Sequence, residues 1–173
     1  MHQGGVNALS AWITFGADTA YQAAVSAVGL PDRGLAALVL IESHPSHSVD
    51  WLYRRLGITQ SGTVRLLDRL ESAGLIRRDR RPGKRQVAVT ITADGRGLLA
   101  RGIAARARAL EDLIAPLSPA EQDELTRLID KTLTHQARSR DRADIACRLC
   151  DWNACADACP VDASVTRSGE EGG

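Results

Sequence analysis

Residues 147–160 read CRLCDWNACADACP and contain all four cysteines of the 173-residue chain. Cys147, Cys150, Cys155 and Cys159 follow the spacing C-x2-C-x4-C-x3-C, and Pro160 follows the last. Alanine, which the rest of the chain uses freely, would pack as well as cysteine, so the crowding points to thiol chemistry. Four thiolates are the usual complement of a [2Fe–2S] or [4Fe–4S] cluster. They also suit a tetrahedral zinc site, or two disulfides formed in one of three connectivities.

An iron–sulfur cluster is the favoured reading of these ligands, with zinc as the alternative. The segment is similar to the bacterial ferredoxin run C-x2-C-x2-C-x3-C-P in its first and last spacings and its closing Cys-Pro. It departs in the middle, where four residues replace two. No glycine lies between 147 and 159, and compact zinc knuckles often need one to turn the backbone under sulfur. Thiols acting as small buried hydrophobes on a helical face are the bland alternative. Trp152, between the second and third cysteines, is placed to shield the site from water or to pack against neighbouring helices. His44 and His47 form an H-x-x-H pair in a loop, for which a solvated or capping role is expected rather than metal binding.

The elements that must carry this site are mainly helical. Hydrophobic residues make up 44% of the chain, charged residues 25% and aromatics 3%, a balance that favours helix over strand and excludes global disorder. Apolar spacing predicts helices over 7–28, 33–43, 49–57 and 59–73, then strands LIRR and QVAVTIT joined by a Pro82-Gly83 turn. Thr59 is the expected N-cap of the fourth helix, with Val64, Leu67 and Leu70 as its buried stripe, and Gly57 the left-handed stop before it. A long helix follows from about 93 to 115. SPAE at 118–121 is a capping box opening a helix with the stripe Leu125, Leu128, Ile129 and Leu133. ARSRDRAD has no such stripe and reads as a charged, solvated linker or helix extension.

The net charge of +1 hides an asymmetry: eight basic against three acidic residues from 65 to 85, and one against five from 150 onward. A basic middle suggests a polyanion partner. A short helix, tight turn and second helix at 49–73 match a helix-turn-helix, and the hairpin after it makes the motif winged. A recognition helix needs small polar and basic groups at its N-terminal end to meet base edges. Gln60, Ser61, Gly62 and Thr63 supply the polar groups and the close backbone approach. Arg65 and Arg69 continue the exposed face. Arg80, Arg81, Lys84 and Arg85 form a wing tip suited to phosphates or a minor groove.

VDWLYRRLGITQSGTVRLLDRLESAGLIRRDRRPGKRQVAVTITADGRGLL, residues 49–99, resembles the multiple-antibiotic-resistance regulator (MarR) family of winged-helix repressors. The shared elements are the leucine-glycine turn, the Thr-capped helix carrying R-L-x-D-R-L-E-x-x-G-L, the basic wing and I-T-x-x-G. The family architecture spans about 7–137 and stops short of the cysteines. The resemblance implies a homodimer on a double-stranded, pseudo-palindromic operator, with the first and last two helices interlocking, and a small-molecule effector as a possible input. The body lacks the cysteine through which some members respond to oxidation.

The expected division is a helical dimerisation region (1–32 and 93–137), a winged helix-turn-helix lobe (33–92), a linker or helix extension (138–146), a metal site (147–160) and a flexible tail (161–173). Modulation by the cysteine site is expected to run through the dimer helices. The longest apolar run, seven residues, is too short to span a bilayer. With no secretory signal read at the N-terminus, a cytoplasmic, non-enzymatic regulator is expected. A ligand-responsive regulator with a structural zinc site, or a small ferredoxin-like electron carrier, are the rivals.

Overall fold

A computed structural model describes residues 2–30, 33–45, 47–79, 88–155 and 159–166. The first helix, α1 (Gln3–Val28), starts earlier than its periodicity predicts, because the His2 ring accepts a hydrogen bond from the Gly5 N–H. It buries one narrow face of small residues, Gly16, Ala20, Ala24 and Val28. Helix α2 (Gly34–Ser43) is buried from Gly34 to Ile41, as expected of a helix apolar on all sides. Ser48 caps α3 (Val49–Leu56), and Gly57 closes it at φ 66°, the left-handed conformation expected. Thr59 caps α4 (Gln60–Ser72) by accepting from the Gly62 N–H at 3.1 Å.

Strands β1 (Ile76–Asp79) and β2 (Ala88–Ile91) pair antiparallel, with Ile76 opposite Ile91 and Asp79 opposite Ala88. The expected Pro82-Gly83 turn and Val87 lie outside the described residues. Thr92 then caps α5 (Ala93–Ile114). Its hydroxyl donates to the Gly74 carbonyl at 2.7 Å and accepts from the Gly95 N–H at 3.0 Å. A Cβ on Gly95 would lie 2.1 Å from the Leu75 carbonyl oxygen, so only glycine lets α5 start this close to the end of α4. The predicted capping box opens α6 (Pro119–Thr134): the Glu121 carboxylate accepts from the Ser118 N–H at 2.8 Å.

Leucines of α2, α3 and α4 form the main core, and Leu98 and Leu99 of α5 join it. The lobe and the long helix therefore share one core. Helix α5 also runs along α1. The outer faces stay uncovered: Leu9, Ile13 and Phe15 of α1 are 45%, 55% and 63% exposed, and no residue of α6 is buried.

The C-terminal segment departs from expectation. ARSRDRAD, expected as a charged, solvated linker or helix extension, is helical from Arg140, and part of it is buried rather than solvated. This helix, α7 (Arg140–Ala146), is capped by Ser139, with Ala143 and Asp144 buried. The charge is accommodated because Asp144 and Asp141 both pair with Arg55 on α3. Two short helices follow, α8 (Trp152–Cys155) and α9 (Pro160–Ala163). The expected flexible tail is also corrected over 161–166. Val161 and Ser164 are buried, and residues 164–166 return beside Arg138, whose N–H and carbonyl bond Ser164 and Thr166 at 3.1 Å each. Ala143, Cys147 and Val161 make a second small core, against which Leu133 of α6 packs.

Candidate nucleic-acid interface and four-cysteine site

The first turn of α4 presents Gln60 and Ser61 to solvent, with Arg65 and Arg69 further along the same exposed side. The Gln60 side-chain amide donates to Asp50 on α3 at 2.9 Å, which sets its orientation. Gly62 serves the cap, and a Cβ there would press on the Thr59 hydroxyl at 3.1 Å. Thr63 is a correction. It is fully buried, and its hydroxyl donates to the Thr59 carbonyl at 3.2 Å, so it cannot meet a base. Val64, expected in the buried stripe, is 41% exposed instead. At about 100° per residue the two positions are neighbours on the helix, and packing against the rest of the lobe selects Thr63 with Leu66, Leu67 and Leu70.

Arg78 locks the wing to this helix by pairing with Asp68 at 2.5 Å, and its backbone N–H donates to Glu71 at 3.0 Å. Arg77, 71% exposed at the start of the wing, is a basic group that the sequence reading left unassigned. Arg80, Arg81, Lys84 and Arg85 lie outside the described residues.

All four cysteines line a single cavity of about 130 Å³ closed by Arg140, Ala143, Trp152, Val161 and Asp162. Their thiols influence one another in sequence around it: Cys150 with Cys147, Cys147 with Cys159, Cys159 with Cys155. Cys147 pulls the Cys150 thiol down to about 6, with Arg106 of α5 adding to the effect against the opposing cost of burial. Cys150, then burial, pushes Cys147 far up. Burial, then Cys159, pushes Cys155 up to about 11.

The donor set fits a group ligated by sulfur. Among the described residues no three His, Cys, Asp or Glu side chains are already gathered tightly enough to hold one metal ion. The four cysteines line one cavity. Trp152 lines that space and donates its indole N–H to the Cys147 carbonyl at 3.0 Å.

On the other side of Trp152 stand the two histidines. Trp152 meets the His44 ring edge-on at 4.4 Å, and His44 lies 4.8 Å from Trp51 of α3. His47 packs on Trp51 at 4.3 Å. Burial holds His44 below the usual histidine range, with Asp144 opposing. The pair is part of an aromatic cluster, within which half-buried His44 also caps the C-terminus of α2 and His47 stays exposed, in line with the solvated or capping role expected of them.

Helix-turn-helix, antiparallel wing and long flanking helices define a winged helix-turn-helix DNA-binding fold. Residues 28–86 match the sequence model of the MarR family of transcriptional regulators. Among solved structures it is similar to the multiple antibiotic-resistance repressor MarR of Listeria monocytogenes, at 29% identity over 75% of this chain and 89% of that one, with a TM-score of 0.59. It is also similar to the MarR-family protein Rv2887 of Mycobacterium tuberculosis, at 26% identity over 76% and 98%, TM-score 0.58, solved with p-aminosalicylic acid and with DNA. Rv1404 of the same organism, 22% identical with a TM-score of 0.65, shares the fold. No curated protein matches the chain by sequence. No described helix is long and apolar enough to cross a membrane.

Proposed function

We propose that this protein is a homodimeric regulator that binds a pseudo-palindromic operator and whose affinity follows the state of an iron–sulfur cluster held by Cys147, Cys150, Cys155 and Cys159. The observation that carries this reading is the convergence of all four thiols on one cavity. When bound, such a cluster supplies a redox-active, oxygen-sensitive anchor common to the four sulfurs. The chain's own part is to hold the thiols, to shield them with Trp152 and to place Arg140 and Arg106 beside the negative charge.

Dimerisation is supported by the uncovered apolar faces. Leu9, Trp12, Leu113, Ile114, Pro116, Leu117 and Leu125 line an open groove of about 410 Å³ among α1, α5 and α6 that one subunit leaves unfilled. Long helices with so much exposed apolar surface favour a second copy. On the DNA side, Gln60, Ser61, Arg65 and Arg69 form the face that would enter the major groove, with the basic wing beside it.

The test is iron, acid-labile sulfide and a visible spectrum on protein purified without oxygen. Iron with matching sulfide and broad visible absorption is expected. Colourless protein with one zinc per chain would overturn the cluster and make the cysteines a staple. A small carboxylic acid, the kind of ligand bound by Rv2887, would then be the input to seek. A DNA affinity that falls steeply with salt separates a regulator from an electron carrier.

A further inference from the structure

We infer that the four-cysteine site controls the DNA-binding lobe from within its own subunit, by gripping α3 through Arg55 and Trp51, rather than by altering the spacing of the dimer helices. The inference rests on reading the cysteines as a sensor site.

The contacts form a closed circuit. Cys147 sits one helical turn after Ala143, and its N–H bonds the Ala143 carbonyl at 2.9 Å. The neighbouring Asp144, 1% exposed, accepts from Arg55 at 2.7 Å, and Asp141 accepts from the same guanidinium at 2.7 Å. That guanidinium lies 3.9 Å over the Trp51 ring and donates to the Trp51 carbonyl at 3.3 Å. Trp51 meets His44, His44 meets Trp152, and Trp152 bonds back to the Cys147 carbonyl. Two routes therefore run from the thiol cavity to one helix, from either side of Cys147.

Helix α3 is the element through which such a grip reaches DNA. Its Leu52 and Leu56 are buried in the core that also holds α4, and its Asp50 orients Gln60 on the recognition face. A shift of α3 therefore moves both the seat of α4 and one of its reading side chains. A group ligated by all four sulfurs fixes α7, α8 and the start of α9 to each other. Its loss frees the stretch carrying Trp152, and the aromatic route slackens. Coupling of this kind travels through packed side chains and buried ion pairs with discrete arrangements.

The experiment compares full-length protein loaded without oxygen with the same protein stripped by a chelator. The ligand is a duplex selected by the loaded protein from a random-sequence library. Wild type, the double variant Arg55→Met/Asp144→Leu and Trp152→Leu are measured, each with its iron and sulfide content. Stripping is expected to change wild-type affinity by about tenfold, and the variants, at equal metal content, to shrink that ratio to within about twofold of one. Amide hydrogen exchange on the wild type gives a second readout that needs no variant: residues 49–56 should exchange faster after stripping. A full ratio retained in both variants, or exchange changes confined to α1 and α6, would overturn the inference and leave the sensor reading standing. A wild-type ratio of one would remove the sensor reading and the inference together.

Discussion

The Arg55 side chain donates to the Asp144 carboxylate at 2.7 Å across 89 residues of sequence, with the two side chains 5% and 1% exposed. This pair joins the helix-turn-helix to the segment that carries the cysteines. Burying two charges is costly, and they persist here because each supplies the other's partner and Asp141 adds a second carboxylate.

Breaking that pair from one side should be severe. Arg55→Met leaves buried Asp144 with only Arg140, 3.7 Å away, to offset its charge, and is expected to cost about 3–5 kcal/mol. Arg55→Met/Asp144→Leu should recover most of it, since apolar replacement removes both desolvation costs. Urea denaturation of the three proteins reads this out, and equal losses in the single and double variants would argue against a buried ion pair.

Gly95 admits no side chain. Gly95→Ala drives a methyl into the Leu75 carbonyl and the Ile91 side chain. A loss on the order of 2–3 kcal/mol is expected, with the wing displaced from α4. A thermal midpoint matching wild type would mean that the backbone here yields easily.

On α4 the exposed and buried positions should separate cleanly. Arg65→Ala and Arg69→Ala are expected to weaken operator binding by about 1–3 kcal/mol each at unchanged stability. Thr63→Ala should instead lower stability by about 1–2 kcal/mol, through a lost buried hydrogen bond and packing. A Thr63→Ala protein of wild-type stability that discriminates operators poorly would place Thr63 at the DNA after all.

Charge placed on the uncovered faces should split the proposed dimer. Wild type is expected to sediment at twice the chain mass, and Ile13→Asp on α1 and Leu128→Asp on α6, at positions 55% and 45% exposed in one subunit, as monomers. Sedimentation velocity decides, and a variant that remains dimeric shows that its face lies outside the interface.

Thiol reactivity in the stripped protein should follow the influence of each thiol on its neighbour. Cys150, held near 6 by Cys147, is the thiolate at neutral pH, while Cys147 and Cys155 are held protonated. Because the thiolate is the nucleophile, limiting iodoacetamide at pH 7 should label Cys150 ahead of those two. Its rate should fall as the pH drops through about 6 and level off above it. Peptide mass spectrometry assigns the sites, and labelling led by Cys147 or Cys155 would reverse the assignment.

What the sequence determined by itself is what short-range chemistry decides. Thr59 and the Ser118–Glu121 box act within a turn of their own positions, and Gly57 acts on its own φ, so these caps and stops are legible residue by residue. The alternation of Val89 and Ile91 and the spacing of the four cysteines are equally local. The phase of α4 was less so: Thr63 and Val64 are adjacent and similar in size, and only the lobe's packing shows which one it covers. Tertiary structure alone decided the fate of ARSRDRAD. A charged stretch reads as solvated because desolvation is costly, and the partner that offsets this cost, Arg55, lies on another helix far away in sequence. For the same reason the cysteine spacing could announce a ligand set but not its location. The burial of Asp144 and the edge-on contact of Trp152 with His44 place it against the helix-turn-helix.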